Sequence, residues 1–98
     1  MKLHLALMAE YFDAIRDGTK TEEFRLVSDY WTKRLHDRTG APRVFSEIAL
    51  TKGYPPAGDT SRRLVLPWRG FTRRTITHPH FGPDPVEVYA IEVRRGDT

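Results

Sequence analysis

The sequence predicts a small α+β domain with about six short strands and two short helices, and three observations lead to this fold class. Alternation of apolar and polar residues, which is typical of strands, recurs along most of the chain. Helical spacing of apolar residues is confined to the N-terminal third. Glycine and proline separate the later segments. We therefore expect a mostly antiparallel sheet or a partly closed barrel, with the helices covering one end.

Length and composition indicate one domain over residues 1–98. The chain is 39% hydrophobic and 30% charged, as expected for a globular rather than a disordered protein. It has no cysteine, which excludes disulfides and thiolate metal sites and makes a reducing cytoplasm the simplest expectation. No apolar run has transmembrane length, and His4 and Glu10 interrupt the N-terminal segment, unlike a signal peptide. We predict a cytoplasmic protein that does not associate with a membrane.

The N-terminal third contains two strands and both helices. Residues 3–7 alternate as a strand does, and residues 8–15 then change to helical spacing. Gly18 follows where a left-handed C-cap would end that helix. Residues 20–27 predict a second strand, although lysine and glutamate are poor strand formers. Residues 28–35 begin with Ser-Asp, which are good N-cap types, and predict a second helix.

The second strand has two distinct faces. Thr21, Glu23 and Arg25 share one face, and Phe24 and Leu26 lie on the other. We expect the two apolar residues to point into the core. The charged face would then line the surface or cleft on the side of the strand away from the core.

The rest of the chain predicts four further strands joined by loops. The predicted strands cover residues 44–52, 63–68, 71–77 and 86–93. The predicted loops at 36–43, 54–61 and 78–85 are rich in proline, glycine or both.

The segment GTKTEEFR, residues 18–25, is the most informative for function. It brings a lysine to the mouth of a turn, followed by a carboxylate and a guanidinium two residues apart on a strand. Mixed donors and acceptors suit the edge of a nucleobase, and the two cations suit its phosphates. The alternative is a solvated face with a Glu23–Arg25 surface pair that contributes little.

This segment resembles the ASCH family, which is related to the PUA fold. Gly18, Lys20, Glu23 and Arg25 match its pattern Gly-x-Lys-x-x-Glu-x-Arg, and a predicted strand and helix precede the glycine as in that family. The specific resemblance covers residues 2–27. It implies a PUA-like pseudobarrel whose cleft, beside the motif, binds RNA or a nucleotide-sized ligand.

The resemblance also implies two kinds of enzyme as alternatives. The family includes ribonucleases and small amidohydrolases that act on N4-acetylcytidine. In those amidohydrolases a threonine nucleophile stands three residues after the motif lysine, where this chain has Glu23, and the hydroxyl of Thr21 has the wrong spacing. Lys20 and Glu23 remain candidates for an acid/base pair in RNA cleavage, with Arg25 and either Tyr30 or Tyr54 nearby.

Further ligand-binding candidates come from outside the motif. With the motif residues and Thr21 we group Tyr54, which opens a Pro-Pro-Gly loop, and Trp68 with Arg69 from a turn. Trp31 and Phe71 are also candidates for base stacking, but the spacing of Trp31 with Leu35 favours a place in the core.

Histidine and arginine clusters have alternative interpretations. His78 and His80, with Asp84 nearby, form an incomplete zinc set, so we predict no metal and no other cofactor. Five arginines between Thr60 and Pro83 either form a phosphate-binding rim or protect a strand edge. They are Arg62, Arg63, Arg69, Arg73 and Arg74.

Three functions therefore stay open at the level of sequence. The first is a module that binds RNA or a nucleotide, and the second is a hydrolase that uses the same cleft. The third is an interaction protein whose charged motif only stabilises its own fold.

Overall fold

The structure is a computed structural model that describes residues 1–95. It contains six strands and two α-helices, and both helices precede the third strand. In chain order they are β1 (Lys2–Leu7), α1 (Ala9–Arg16), β2 (Glu22–Leu26), α2 (Asp29–Leu35), β3 (Glu47–Lys52), β4 (Arg63–Pro67), β5 (Phe71–Ile76) and β6 (Val86–Glu92). The predicted α+β class, strand number and helix positions are confirmed.

The strands form two separate sheets of three. One sheet has the order β1-β3-β4 and the other has the order β2-β6-β5. All pairs are antiparallel except β1 with β3, whose register runs from Lys2 opposite Glu47 to Leu7 opposite Lys52. This parallel pair needs a crossover, which α1, β2 and α2 provide. Within residues 1–95 no ladder joins the two sheets into a closed barrel.

One apolar core lies between the sheets and beneath the helices. Alternate residues of β1 and β3 point into it, as do Phe12 and Ile15 of α1 and Leu35 of α2. The central strand β6 is buried on both faces from Val88 to Ile91, and it pairs with β2 along one edge and β5 along the other. Tyr89 is buried there, and its hydroxyl forms a 2.7 Å hydrogen bond with Thr32 of α2. No helix in the described part of the chain has the length and apolar character needed to cross a membrane.

The predicted core face of β2 is wrong. Leu26 is 43% exposed and Phe24 is only half-buried, whereas Glu23 on the other face is 4% exposed. Among residues 1–95, β2 is an edge strand whose single partner strand is β6. Its charged face turns toward β1, where the side chain of Arg25 reaches the carbonyl of Ala6. Cations adjacent to Glu23 make the burial of its carboxylate tolerable.

The start of the third strand is also corrected. We predicted it from residue 44, but β3 begins at Glu47. Val44 is 89% exposed, while Phe45 is buried and its ring lies edge-on to Trp68 with the centroids 4.9 Å apart. Residues 44–46 form a loop. Their exposed and buried side chains alternate as in a strand because Phe45 is anchored in the core.

Candidate functional site

The turn after α1 fixes the position of Lys20. Gly18 adopts φ +85°, a left-handed conformation that favours glycine, and its N–H donates to the carbonyl of Ile15 over 3.1 Å. The N–H groups of Thr19 and Lys20 both donate to the carbonyl of Ala14, at 2.9 and 3.1 Å. These three bonds satisfy carbonyls at the end of the helix and direct the chain into β2 with Lys20 beside it.

Lys20, Glu23 and Arg25 form one ionic cluster. The Lys20 Nζ lies 3.7 Å from the Glu23 Oε1, and the Arg25 Nη1 donates to the Glu23 Oε2. The three side chains are 17%, 5% and 20% exposed, respectively, so water screens the cluster much less than it screens a surface pair. One positive charge remains in excess. The prediction that these three residues come together is confirmed by these contacts.

Arg25 links the two sheets at the edge where no ladder joins them. Its Nη2 donates to the carbonyl of Ala6 on β1 over 3.2 Å, and its Nη1 donates to the carbonyl of Phe24 over 3.1 Å. The guanidinium carbon lies 5.4 Å from the centre of the Trp31 ring, a cation–π contact with α2. Arg25 thus connects β1, β2 and α2.

A cavity of about 320 Å³ opens over this cluster, and we call it the motif cavity. Ala6, Leu7 and Met8 line it from the end of β1. The other lining residues come from α1, the motif, α2 and the connection before β6: Tyr11, Lys20, Glu23, Phe24, Arg25, Leu26, Trp31, His78, His80 and Phe81. Charged groups and aromatic rings therefore share one small space.

Aromatic rings enclose the Lys20 ammonium. Its Nζ lies 5.1 Å from the centre of the Tyr11 ring and 4.8 Å from that of Phe24, which are both cation–π distances. Loss of hydration, together with the carboxylates of Glu10 and Glu23, raises the pKa of Tyr11 above its usual value. The phenol therefore keeps its proton at neutral pH and can donate a hydrogen bond.

His78 and His80 also line the motif cavity, where the sequence did not predict them. Their rings lie 6.2 and 5.9 Å from the Tyr11 ring, between centroids. The His78 Nδ1 accepts the N–H of His80 over 3.1 Å in a single helical turn at Pro79–Phe81. The His-Pro-His spacing indicates that the two imidazoles share one site. Only the fold brings them to Tyr11, which precedes His78 by 67 positions in the chain. Among the described residues, no group of three or more His, Cys, Asp or Glu side chains could hold a metal ion.

A second cavity of about 490 Å³ lies on the other side of Arg25 and Trp31. It shares these two residues and Ala6 with the motif cavity. The remaining lining residues are His4, Leu5, Tyr30, Thr51 and Tyr54. Tyr54, predicted to contribute to the ligand site, is 94% exposed here.

The other predicted binding residues lie outside both cavities. Gly18 shapes the turn, and exposed Thr21 uses its carbonyl to accept the N–H of Val93. Trp68 and Arg69, which the sequence analysis grouped with the motif, line neither cavity. Trp68 packs against the core because Phe45 and Phe71 lie beside it, and the Arg69 Nε donates to the carbonyl of Arg94 over 3.1 Å.

The arginines from β4 and β5 do not form a common rim. Arg73 pairs with Glu87 at 2.9 Å, Arg74 pairs with Glu22, and Arg62 lies 3.5 Å from Asp59. Arg63 donates to two proline carbonyls in the preceding loop. Intramolecular acceptors thus engage these guanidinium groups, and much of the apparent positive charge of this region is neutralised locally.

Comparison with known protein families, curated proteins and solved structures finds no match to this chain.

Proposed function

We propose that this chain is an RNA- or nucleotide-binding domain of the ASCH type, related to the PUA fold, and that the motif cavity holds one nucleobase. The observation that carries the proposal is that Lys20, Glu23 and Arg25 line the same cavity as several aromatic rings. The alternative of a solvated, scattered motif does not agree with this arrangement.

The size of the cavity favours a single nucleoside unit. Ligand pockets in proteins begin at about 300 Å³, and the motif cavity, at about 320 Å³, is at the lower end of that range. The rings of Phe24 and Trp31 line the cavity with the cations of Lys20 and Arg25 over them, and bases stack on guanidinium planes as well as on aromatic rings.

The polar groups suit the edge and the phosphate of a nucleotide. The Glu23 Oε1 is 3.7 Å from Lys20, longer than a hydrogen bond, so this oxygen can accept from an exocyclic amino group such as that of cytosine. The ammonium of Lys20 and the protonated phenol of Tyr11 are donors at the same wall. The excess positive charge of the cluster favours a ligand with a phosphate.

Binding can be tested with the two tryptophans as internal reporters. In an NMR titration of the isotope-labelled chain with the four ribonucleoside monophosphates, we expect the indole N–H signal of Trp31 to shift. Trp68 lies outside both cavities, so its signal should stay in place. Lys20→Ala should weaken binding, while Lys2→Ala, which removes a surface pair with Glu47, should not. If no nucleotide moves the Trp31 signal, the third function, an interaction protein, takes precedence.

A ribonuclease is the second candidate function, and the two histidines in the motif cavity favour it. One imidazole would take the proton of the 2′-hydroxyl, and the other would protonate the leaving oxygen. The 2′-oxygen would attack phosphorus as the bond from phosphorus to the 5′-oxygen breaks, which yields a 2′,3′-cyclic phosphate and a 5′-hydroxyl. Lys20 would stabilise the charge on the phosphorane.

An amidohydrolase has less support. None of the described residues that line the motif cavity is Ser, Thr or Cys, and the raised pKa of Tyr11 makes its phenol a poor nucleophile. End-labelled RNA and N4-acetylcytidine, incubated separately with the protein, distinguish the two reactions. Cyclic-phosphate products that are lost in His78→Ala and in Lys20→Ala would support the ribonuclease, provided that they persist in Lys33→Ala. Lys33 is an exposed lysine of α2 that lines neither cavity. Products that persist in His78→Ala and His80→Ala would exclude the imidazole mechanism.

A further inference from the structure

The second cavity continues the motif cavity along the open edge between β1 and β2. The two cavities share Ala6, Arg25 and Trp31, so these residues form a common wall. Arg25 and Trp31 are therefore accessible from both cavities.

We propose that the second cavity binds the adjoining nucleotide of the same strand, so that the ligand is single-stranded RNA rather than a free nucleotide. The inference rests on the proposed function, because it assumes that the motif cavity holds a base. It adds a second base-binding site and assigns the ligand to the class of oligonucleotides.

The lining of the second cavity suits a base. Tyr54 is 94% exposed and Tyr30 is 62% exposed, and both line the cavity. The Tyr30 ring stands edge-on to Trp31, with the centroids 5.0 Å apart. Solvent-exposed aromatic rings around a groove are the feature that single-strand binders use to stack successive bases.

The common wall is positively charged where the linking phosphate would lie. The hydrogen bonds described for Arg25 use three of the five N–H donors of a guanidinium, so the structure leaves it capacity for a phosphate oxygen. Arg34 lies over the same indole, with its guanidinium carbon 5.8 Å from the Trp31 ring centre; it lines neither cavity and adds positive charge at longer range. Arginine suits phosphate through its planar, bidentate donors.

The test compares one nucleotide with two. Affinities of the full chain are measured by calorimetry for each ribonucleoside monophosphate and for the corresponding dinucleotide (ApA, CpC, GpG and UpU). We expect the best dinucleotide to bind about tenfold more tightly than its monophosphate, which is within the range that one additional stacked base gives. Tyr54→Ala should remove most of this gain and leave the affinity for the monophosphate unchanged.

Tyr54 is suited to this test because an exposed side chain contributes little to folding. Val44→Ala is the matched control, since Val44 is 89% exposed and lines neither cavity. If monophosphates bind but the dinucleotides bind no more tightly, the second site is wrong and the proposed function stands. A loss in Tyr54→Ala that is equal for both ligands would also overturn it. If neither ligand binds, both proposals fail.

Discussion

The Lys20 ammonium and the Glu23 carboxylate lie 3.7 Å apart in the lining of the motif cavity, and both side chains are largely shielded from water. A pair in this position has two consequences. It holds a carboxylate oxygen toward a ligand, and it makes the local fold depend on charge balance. The predictions below separate these consequences.

Loss of the Glu23 charge should destabilise the fold. Glu23→Gln leaves Lys20 and Arg25 without their anionic partner in a poorly hydrated site, and we expect a loss of about 2 kcal/mol in the free energy of unfolding. For a chain of this length the melting temperature should fall by about 10 °C. Glu47→Gln, which removes a surface pair with Lys2, is the control and should change stability by less than about 0.5 kcal/mol. Equal effects of the two substitutions would contradict the buried cluster.

Arg25 should not be replaceable by lysine. A single ammonium cannot reach the carboxylate of Glu23 and the carbonyl of Ala6 with the fixed geometry of a guanidinium. We expect Arg25→Lys to cost about 2 kcal/mol, as for the loss of a charged hydrogen bond, in urea denaturation. Arg73→Lys is matched, because Arg73 also pairs with a glutamate but at an exposed position. If Arg25→Lys leaves the free energy of unfolding unchanged, the link between the sheets is dispensable.

Gly18 and Gly40 should respond alike in stability and differently in binding. Both adopt positive φ, +85° and +88°, so alanine at either position should cost about 1 kcal/mol. Only Gly18→Ala should also weaken nucleotide binding, since this turn positions Lys20. The measurement is chemical denaturation together with the NMR titration. Unchanged binding in Gly18→Ala would show that this turn is not needed to position Lys20 for binding.

Salt dependence should reveal few phosphate contacts. We assume that only Lys20 and Arg25 contact phosphate. The logarithm of the affinity for oligouridylate should then fall with the logarithm of the salt concentration, with a slope of about −0.7 to −1.4. Arg73→Ala and Arg74→Ala should leave the slope unchanged, because glutamates already pair with both residues. Lys20→Ala should reduce it. A slope steeper than about −3, or one that depends on Arg73 and Arg74, would show instead that the arginines of β5 contribute to a phosphate-binding rim.

Acid should destabilise the protein through its paired carboxylates. Hydrogen bonds from Thr39 lower the pKa of Asp37, a side-chain bond from Lys52 lowers that of Asp13, and Arg73 lowers that of Glu87. For a lowered folded-state pKa, the stabilisation is complete above the unfolded value of about 4 and is lost as the pH falls through the folded value. We therefore expect Asp37→Asn to lower the melting temperature at pH 7 and the difference from wild type to shrink below about pH 4.

Asp84→Asn is the control for this pH series, because Asp84 is an exposed carboxylate in the connection before β6. It should leave the melting temperature nearly unchanged across the same range. A difference for Asp37→Asn that stays constant with pH would show that its effect does not come from ionisation.

The sequence by itself determined the local features of this protein. Periods of two and 3.6 residues specified the strands and helices, since those repeats follow from backbone geometry. Gly18 at the end of a helix specified the turn, and the spacing of Lys20, Glu23 and Arg25 kept the three charges near one another.

Only the tertiary structure decided which face of β2 is buried, because alternation defines two faces but not their neighbours. It turned Glu23 inward and left Leu26 exposed, since Arg25 meets β1 there. It also brought His78 and His80 to Tyr11 and gave Arg73 and Arg74 their acidic partners. These contacts join residues that are distant along the chain, and their free energies depend on packing and charge pairing that no local repeat encodes.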